Sequence, residues 1–217
     1  MALRILQEDR RLHTMPQSGA AAPSQPVSKS KVIVFFPTAR HVSVAYDLFS
    51  KIPGLPPVYE IHSRNSQSAR TRASADFTKA QEAVLLSSDV AARGMDFPGV
   101  TLVVQCGLPS STEQYIHRLG RTARAGEAGA GIIVLDTHER AFLAHKGTAA
   151  LPIYASALNV ADLARERAEV RGALARVDPE RKAQAYRAWL GYYKTHIRLL
   201  GWDRAELVQR ANEFDGG

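Results

Sequence analysis

Val32-Ile33-Val34-Phe35-Phe36 is apolar at every position. A strand with one wet face alternates polar and apolar residues. A strand buried on both faces does not, and such strands belong to parallel sheets. Four more short runs recur along the chain, at 57–61, 83–87, 101–105 and 131–135. Helical stretches lie between them. Ala39 to Lys51 is closed by Pro53-Gly54, and Ser66 to Phe77 follows the second run. Ser110-Ser111-Thr112-Glu113 has the form of a capping box, so a helix should start near Ser111, and Asp136-x-x-Glu139 marks another. This alternation predicts an α/β fold: a parallel sheet with helices on both faces. Ligands in such sheets sit beyond the carboxyl ends of the strands, where Ser88-Asp89 and the loop after Ile61 lie.

From Ala150 the pattern becomes wholly helical. Asn159 is a candidate N-cap for a helix over 160–176. Asp178-Pro179 is an N-cap followed by proline at the first helical position, and Asp203-x-x-Glu206 caps a last helix. Tyr186, Trp189, Leu190, Tyr193 and Ile197 recur three and four apart, a stripe that reads as core rather than as a ligand platform. Pro16 to Lys31 is rich in Ser, Ala, Pro and Gln. Residues 1–30 are therefore expected to be a partly disordered linker, with order beginning at Lys31. The expected division is 1–30, 31–149 and 150–217.

The net charge of +7 favours an anionic partner, but it is spread over all three segments. Any specific contact must come from placed residues. Cys106 is the only cysteine, which excludes a disulfide framework within one chain and points to a reducing compartment. His62 has no partner histidine at ligand spacing, so no metal site is expected. The apolar runs are far too short to span a bilayer, and no secretory leader is expected.

His117-Arg118-Leu119-Gly120-Arg121-Thr122-Ala123-Arg124 sets three arginines three residues apart. On a helix they would share one face. They repel one another unless an anion or a carboxylate sits among them, and a phosphate chain is the natural occupant. Gly120 is expected to permit close backbone approach. Ser88-Asp89-Val90-Ala91-Ala92-Arg93-Gly94-Met95-Asp96 follows the third run. Ser88 can donate to a phosphate, Gly94 admits a ligand to the backbone, and Asp89 and Asp96 can hold Arg93 or accept from ribose hydroxyls. A polar loop with a structural Asp–Arg pair is the competing reading. Gln67-x-x-Arg70 at a helix start could clamp a nucleic-acid backbone or be a solvated face. Thr38 reads as an N-cap or as a phosphate donor.

In this order and at these separations the segments resemble the second RecA-like domain of DEAD-box RNA helicases. Val32–Arg40 resembles motif IV, and Gln67-x-x-Arg70 with Phe77 resembles motif IVa. Ser88–Asp96 resembles motif V and His117–Arg124 motif VI. The resemblance covers about residues 31–140. His-Arg opening motif VI fits the DEAD-box group better than the DEAH group. Glu60-Ile61-His62-Ser63-Arg64, Gly107-Leu108-Pro109, Thr122-Ala123-Arg124 and a helical extension are similar to the fungal mitochondrial intron-splicing branch. Three positions depart from the family pattern: Ser88 for Thr, which keeps the hydroxyl, and Ser63 and Ala123 for Gly.

The resemblance implies a RecA-like sheet followed by an all-helical extension. In the family a Gly-rich phosphate loop with Lys holds ATP and an Asp-Glu-Ala-Asp box holds Mg. This chain has neither motif. ATP with Mg is thus expected only with an N-terminal RecA-like domain as partner, and the chain alone is expected to bind no cofactor and to be inactive. By resemblance, Arg121 and Arg124 reach the γ-phosphate, Arg124 as arginine finger. His117 and Arg118 couple the two domains, Arg118 also joining the ATP set, and Asp96 meets the ribose. Thr38, Arg64, Gln67, Arg70, Ser88, Asp89, Arg93 and Gly94 hold the backbone of single-stranded RNA. The implied protein is a monomeric RNA helicase without a membrane partner. It is intracellular, with the mitochondrion ahead of nucleus or cytosol. A stand-alone RNA-binding regulatory module and a DNA translocase of the same superfamily are the alternatives. The extension, with 11 basic and 9 acidic residues, is expected to buttress the domain.

Overall fold

The structure, a computed structural model, describes residues 1–14, 30–90, 95–124, 126, 128–155 and 163–216. Five strands, β1 (Lys31–Phe35), β2 (Val58–Ile61), β3 (Ala83–Ser87), β4 (Leu102–Cys106) and β5 (Ala130–Val134), form one sheet in the order β2-β3-β1-β4-β5. Every pairing is parallel, with Val34 of β1 opposite Leu86 of β3 and Val104 of β4. β1 and β3 are buried along their whole length, as uniformly apolar runs require.

The helices are α1 (Ala2–Thr14), α2 (Ala39–Phe49), α3 (Gln67–Lys79), α4 (Thr112–Leu119), α5 (Ala141–Ala144), α6 (Lys146–Ala149), α7 (Ala164–Leu174), α8 (Pro179–Lys194), α9 (Ile197–Leu200) and α10 (Arg204–Gly216). The caps follow the residue types. Thr38, Ser66, Ser111 and Asp178 each accept a hydrogen bond from an amide of the first turn, at His41, Ala69, Gln114 and Glu180. Asp136 and Glu139 form a reciprocal capping box on a single 3-10 turn, Thr137–Arg140. Asn159 lies outside the described residues, and α7 begins at Ala164.

Side-chain alternation along the strands feeds two cores. Val32, Val34, Val84, Leu86 and Val104 face α1, α2 and α7, whereas Ile33, Phe35, Leu85 and Val103 face Phe77 of α3 and Phe97. A third cluster joins Leu108, Tyr115 and Phe142 of the sheet domain to Trp189, Tyr193, Trp202 and Leu207. Trp189 stacks on Tyr193 with ring centroids 4.1 Å apart. The extension thus shares its core with the domain rather than hanging beyond residue 150. Each such buried side chain is worth about 1.5–3 kcal/mol.

The N-terminal segment departs from the linker expected over residues 1–30. Leu3, Ile5 and Leu6 of α1 enter the first core. Arg4 bonds Glu8 at 2.7 Å and Glu166 of α7 at 2.8 Å, and Arg10 reaches Glu82 at 3.0 Å. The polar tract after Pro16 dominated the composition and hid the short apolar stripe ahead of it. That tract lies outside the described residues.

α2 carries the chain from β1 out to β2, and α4 carries it from β4 out to β5 on the other face. The topological switch point therefore falls between β1 and β4. Among the described residues no helix is long and apolar enough to cross a membrane.

Candidate functional site

The residues singled out from the sequence fall on two opposite edges of the sheet. At the carboxyl edge, Thr38 follows β1, Arg64 and Gln67 follow β2, and Ser88 and Asp89 follow β3. Thr38 Oγ1 accepts from His41 N at 3.3 Å and lies 3.2 Å from His41 Nδ1. Burial pushes the His41 ring down to about 4, opposed by a hydrogen bond to the backbone of Ala185 in α8, so it is neutral at pH 7. Gln67 and Arg70 do share one face of the first turn of α3, and Arg70 Nη2 donates to Gln67 Oε1 at 2.7 Å. Arg64 is exposed, and its amide donates to His62 Nδ1 at 3.2 Å. His62 itself is buried between Ser43 and Glu60, at 3.0 and 3.2 Å. Arg93 and Gly94 lie outside the described residues.

The three arginines do not share a helical face. α4 ends at Leu119, Gly120 caps it, and only Arg118 belongs to the helix. A Cβ at Gly120 would meet the Ile116 carbonyl at 3.4 Å, an ordinary contact, so close approach is not what this glycine provides. Gly129 provides it: a Cβ there would fall 2.6 Å from Ala123 N and collide with Thr122 Oγ1. Arg118 is fully buried. A helical side chain points back toward the N-terminus of its helix, here toward the carboxyl edge. Its guanidinium passes 5.5 Å from the centroid of Phe35 and its Nε donates to Asp89 Oδ1 at 2.8 Å. Nη2 stands 2.6 Å from the same oxygen, and Gln114 Nε2 donates to it at 2.9 Å. Nη1 has no hydrogen-bond partner among the described residues. Arg118 thus differs from its two neighbours: it is buried against Asp89 and supports α4.

Arg121 and Arg124 lie at the amino edge. The chain is anchored there by Thr122, whose hydroxyl donates to the Val100 carbonyl just ahead of β4. Arg121 Nη1 donates to the Met95 carbonyl at 2.5 Å. Desolvation and then the charge of Arg124 lower its pKa. Arg124 donates to the Gly120 carbonyl and to Asp96 Oδ1, both at 2.7 Å, and Asp96 is 77% exposed. Ala123 between them has φ of 54°, the only positive φ outside glycine among the described residues. His117 is exposed one turn back on α4.

Sequence reasoning missed four residues that hold this arrangement. Gln114 is buried and braces Asp89. Glu139 was legible as a capping residue, but its second oxygen accepts from Leu108 N at 3.0 Å across 31 residues. Tyr192 and Tyr193 were legible as core rings, whereas their hydroxyls reach Leu108 and Glu139. Spacing reports a helix face, not a distant partner.

The all-parallel five-stranded sheet, in the order β2-β3-β1-β4-β5 with helices on both faces, is RecA-like. Residues 22–126 match the family described as helicase conserved C-terminal domain. The chain is 48% identical, over 85% of its length, to "ATP-dependent RNA helicase MSS116, mitochondrial" of Phaeosphaeria nodorum, covering 33% of that protein. It is 48% identical over 85% to "DEAD-box ATP-dependent RNA helicase 31" of Oryza sativa subsp. japonica, covering 32% of it. The chain thus spans about a third of the length of these relatives. Among solved structures, Mss116p bound to ssRNA and AMP-PNP superposes with a TM-score of 0.77 at 25% identity, over 99% of this chain and 40% of that one. Domain 2 of Mss116p bound to an RNA duplex gives 0.67 at 28%, over 87% and 74%. The chain is thus similar to DEAD-box RNA helicases and, within them, to a second RecA-like domain with a helical extension.

Proposed function

We propose that this chain grips an RNA backbone along its carboxyl edge and supplies two arginines from its amino edge to ATP held by an N-terminal RecA-like domain, within an ATP-dependent RNA helicase. The observation that carries this is the placing of Arg121 and Arg124 side by side at the amino edge, Arg121 on the Met95 carbonyl and Arg124 on the exposed carboxylate of Asp96. Two neighbouring guanidiniums, the charge of Arg124 lowering the pKa of Arg121 after desolvation, beside a solvent-exposed aspartate, fit the phosphates of a nucleotide. Two guanidiniums repel a cation. Mg would therefore sit with the partner domain.

ATP supplies the phosphoanhydride bond. Arg124 leaves Asp96 and neutralises charge developing on the γ-phosphoryl oxygens, a role worth about 10³–10⁵ in rate in GTPases. Arg121, tethered to Met95, orients the same group. Asp96, once released, accepts from a ribose hydroxyl. Arg118 holds α4 on Asp89 and takes no nucleotide contact. At the other edge Gln67, Arg64 and Arg70 meet phosphates and 2′-hydroxyls, with Ser88 beside them, so shape rather than sequence is read. Both ligands favour the closed pair of domains, which couples them. We place the protein inside the cell and, following the P. nodorum relative's name, in the mitochondrion.

The test compares two samples. This chain alone should bind single-stranded RNA and show no RNA-stimulated ATPase; a protein joining it to the ATP-binding domain should show it. Turnover by the pure chain alone would sink the proposal. Equal affinity for RNA and DNA of one sequence would favour a DNA translocase.

A further inference from the structure

The crevice beyond the carboxyl ends of β1 and β4, where an open α/β sheet ordinarily takes its ligand, is filled by the extension. Gly107 leaves β4 with φ of 78°. A Cβ there would stand 3.0 Å from Cγ of Pro37, just past β1, 3.3 Å from the Tyr193 hydroxyl and 3.6 Å from Glu139 Oε1. The position thus disfavours a side chain both by conformation and by space, which Pro37, Glu139 and Tyr193 of α8 share.

Two consecutive tyrosines of α8 grip the next residue from both sides. Tyr193 donates to Glu139 Oε1, and that oxygen accepts from Leu108 N at 3.0 Å. Tyr192 donates to the Leu108 carbonyl at 2.7 Å. Oε2 of Glu139 accepts from Asp136 N at 2.7 Å, so the buried carboxylate is held by two amides and a hydroxyl. Leu108 is itself fully buried. Three residues further on, Ser111 caps α4, and Gln105 at the end of β4 donates to the Tyr115 carbonyl within it at 3.1 Å. α4 then runs from this clamped edge to the opposite one, where Arg121 and Arg124 follow it directly.

We infer that Tyr192 and Tyr193 are positioning residues: the extension fixes the start of α4 and, through that helix, the attitude of Arg121 and Arg124. This rests on the nucleotide role proposed above for those arginines. Deleting the hydroxyls should loosen α4 while leaving the rest of the sheet as it was, because the Tyr193 ring keeps its stacking on Trp189 and Trp202 and the Tyr192 ring its contacts with Tyr193 and His196.

The variant is Tyr192→Phe with Tyr193→Phe, and two readouts separate positioning from plain stabilisation. In this chain, amide exchange should rise about tenfold at Leu108 and across Tyr115–Gly120, with α2 and α3 unchanged. In the two-domain protein, kcat for ATP should fall about tenfold, with KM for ATP and the affinity for single-stranded RNA within twofold. Trp189→Phe, which removes packing and keeps both hydroxyls, should lower the melting temperature without this local pattern. Exchange that rises evenly over the sheet would overturn the inference, as would a loosened α4 with kcat unchanged. Should the unaltered two-domain protein lack RNA-stimulated ATPase, the functional proposal falls. The exchange measurement then decides the clamp alone: a rise confined to Leu108 and α4 supports it, and no rise overturns it.

Discussion

The two edges of the sheet carry the same chemical pair in opposite settings. At the carboxyl edge Arg118 meets Asp89 with its side chain wholly out of solvent; at the amino edge Arg124 meets Asp96 with 36% and 77% of the side chains exposed. A buried ion pair is held by the cost of leaving either charge alone in a low dielectric. An exposed pair is screened, contributes little, and exchanges its partners freely. One aspartate–arginine pair is therefore part of the scaffold, while the other is a resting state for groups that have work elsewhere.

The largest effect should come from the exposed pair, and it should be an effect on chemistry. Arg124→Ala in a protein carrying both domains is expected to cut ATP hydrolysis about 10³-fold. RNA binding by this chain should stay within twofold, and folding stability should change by less than about 1 kcal/mol. Equal losses of hydrolysis and RNA binding would move Arg124 onto the RNA path and erase the distinction between the edges.

The buried pair should show the reverse. Asp89→Ala strands the Arg118 guanidinium and is expected to cost about 3 kcal/mol, at the low end of the range for broken buried pairs because Asp89 is a third exposed. Urea unfolding measures this. Adding Arg118→Leu should recover part of the loss, since the orphaned charge goes with it. Asp96→Ala should cost under about 1 kcal/mol and lose even that in 0.5 M salt. A similar cost at both aspartates would break the comparison.

How far the two edges could be read from sequence differs for a physical reason. The strands were legible to within a residue because five-residue apolar runs have few other fates. Thr38, Ser111 and Asp178 were legible as caps because capping is local. The arginine series was legible as a cluster of placed charges, but its partition was not: which of three arginines turns inward depends on Asp89, 29 residues away. α1 was hidden for a similar reason, since its apolar stripe has meaning only against α2 and α7. Local rules reach as far as a helical turn, and the sorting of buried from exposed charge happens beyond that reach.

The carboxyl edge also holds a titrating group. His41 is neutral in the folded chain, with its pKa near 4 against 6.5 when unfolded. As pH falls below 6.5 the unfolded chain takes up the proton first, so stability present above that value is lost on the way to pH 4. Between pH 6.5 and 5 the loss should be about 2 kcal/mol at most from this ring. The urea midpoint of His41→Gln should show a correspondingly flatter slope over that window. An unchanged slope would mean that the ring is hydrated and that the carboxyl edge is less dry than the Arg118 pair implies.

The smallest effect concerns strain at the amino edge. Ala123 sits in the left-handed region directly before Arg124, and that conformation costs an L-residue about 1–2 kcal/mol. Glycine removes this cost but adds freedom to the unfolded chain, worth roughly 0.4–1 kcal/mol in the opposite direction. Ala123→Gly should therefore be neutral or stabilise by up to about 1.6 kcal/mol, the difference of those two terms. The same change at Ala75, on an exposed turn of α3, should cost about 0.5–1 kcal/mol. If Ala123→Gly cost as much as Ala75→Gly, residue 123 would not rest in the left-handed region, and the path that brings Arg124 onto Asp96 would have to be redrawn.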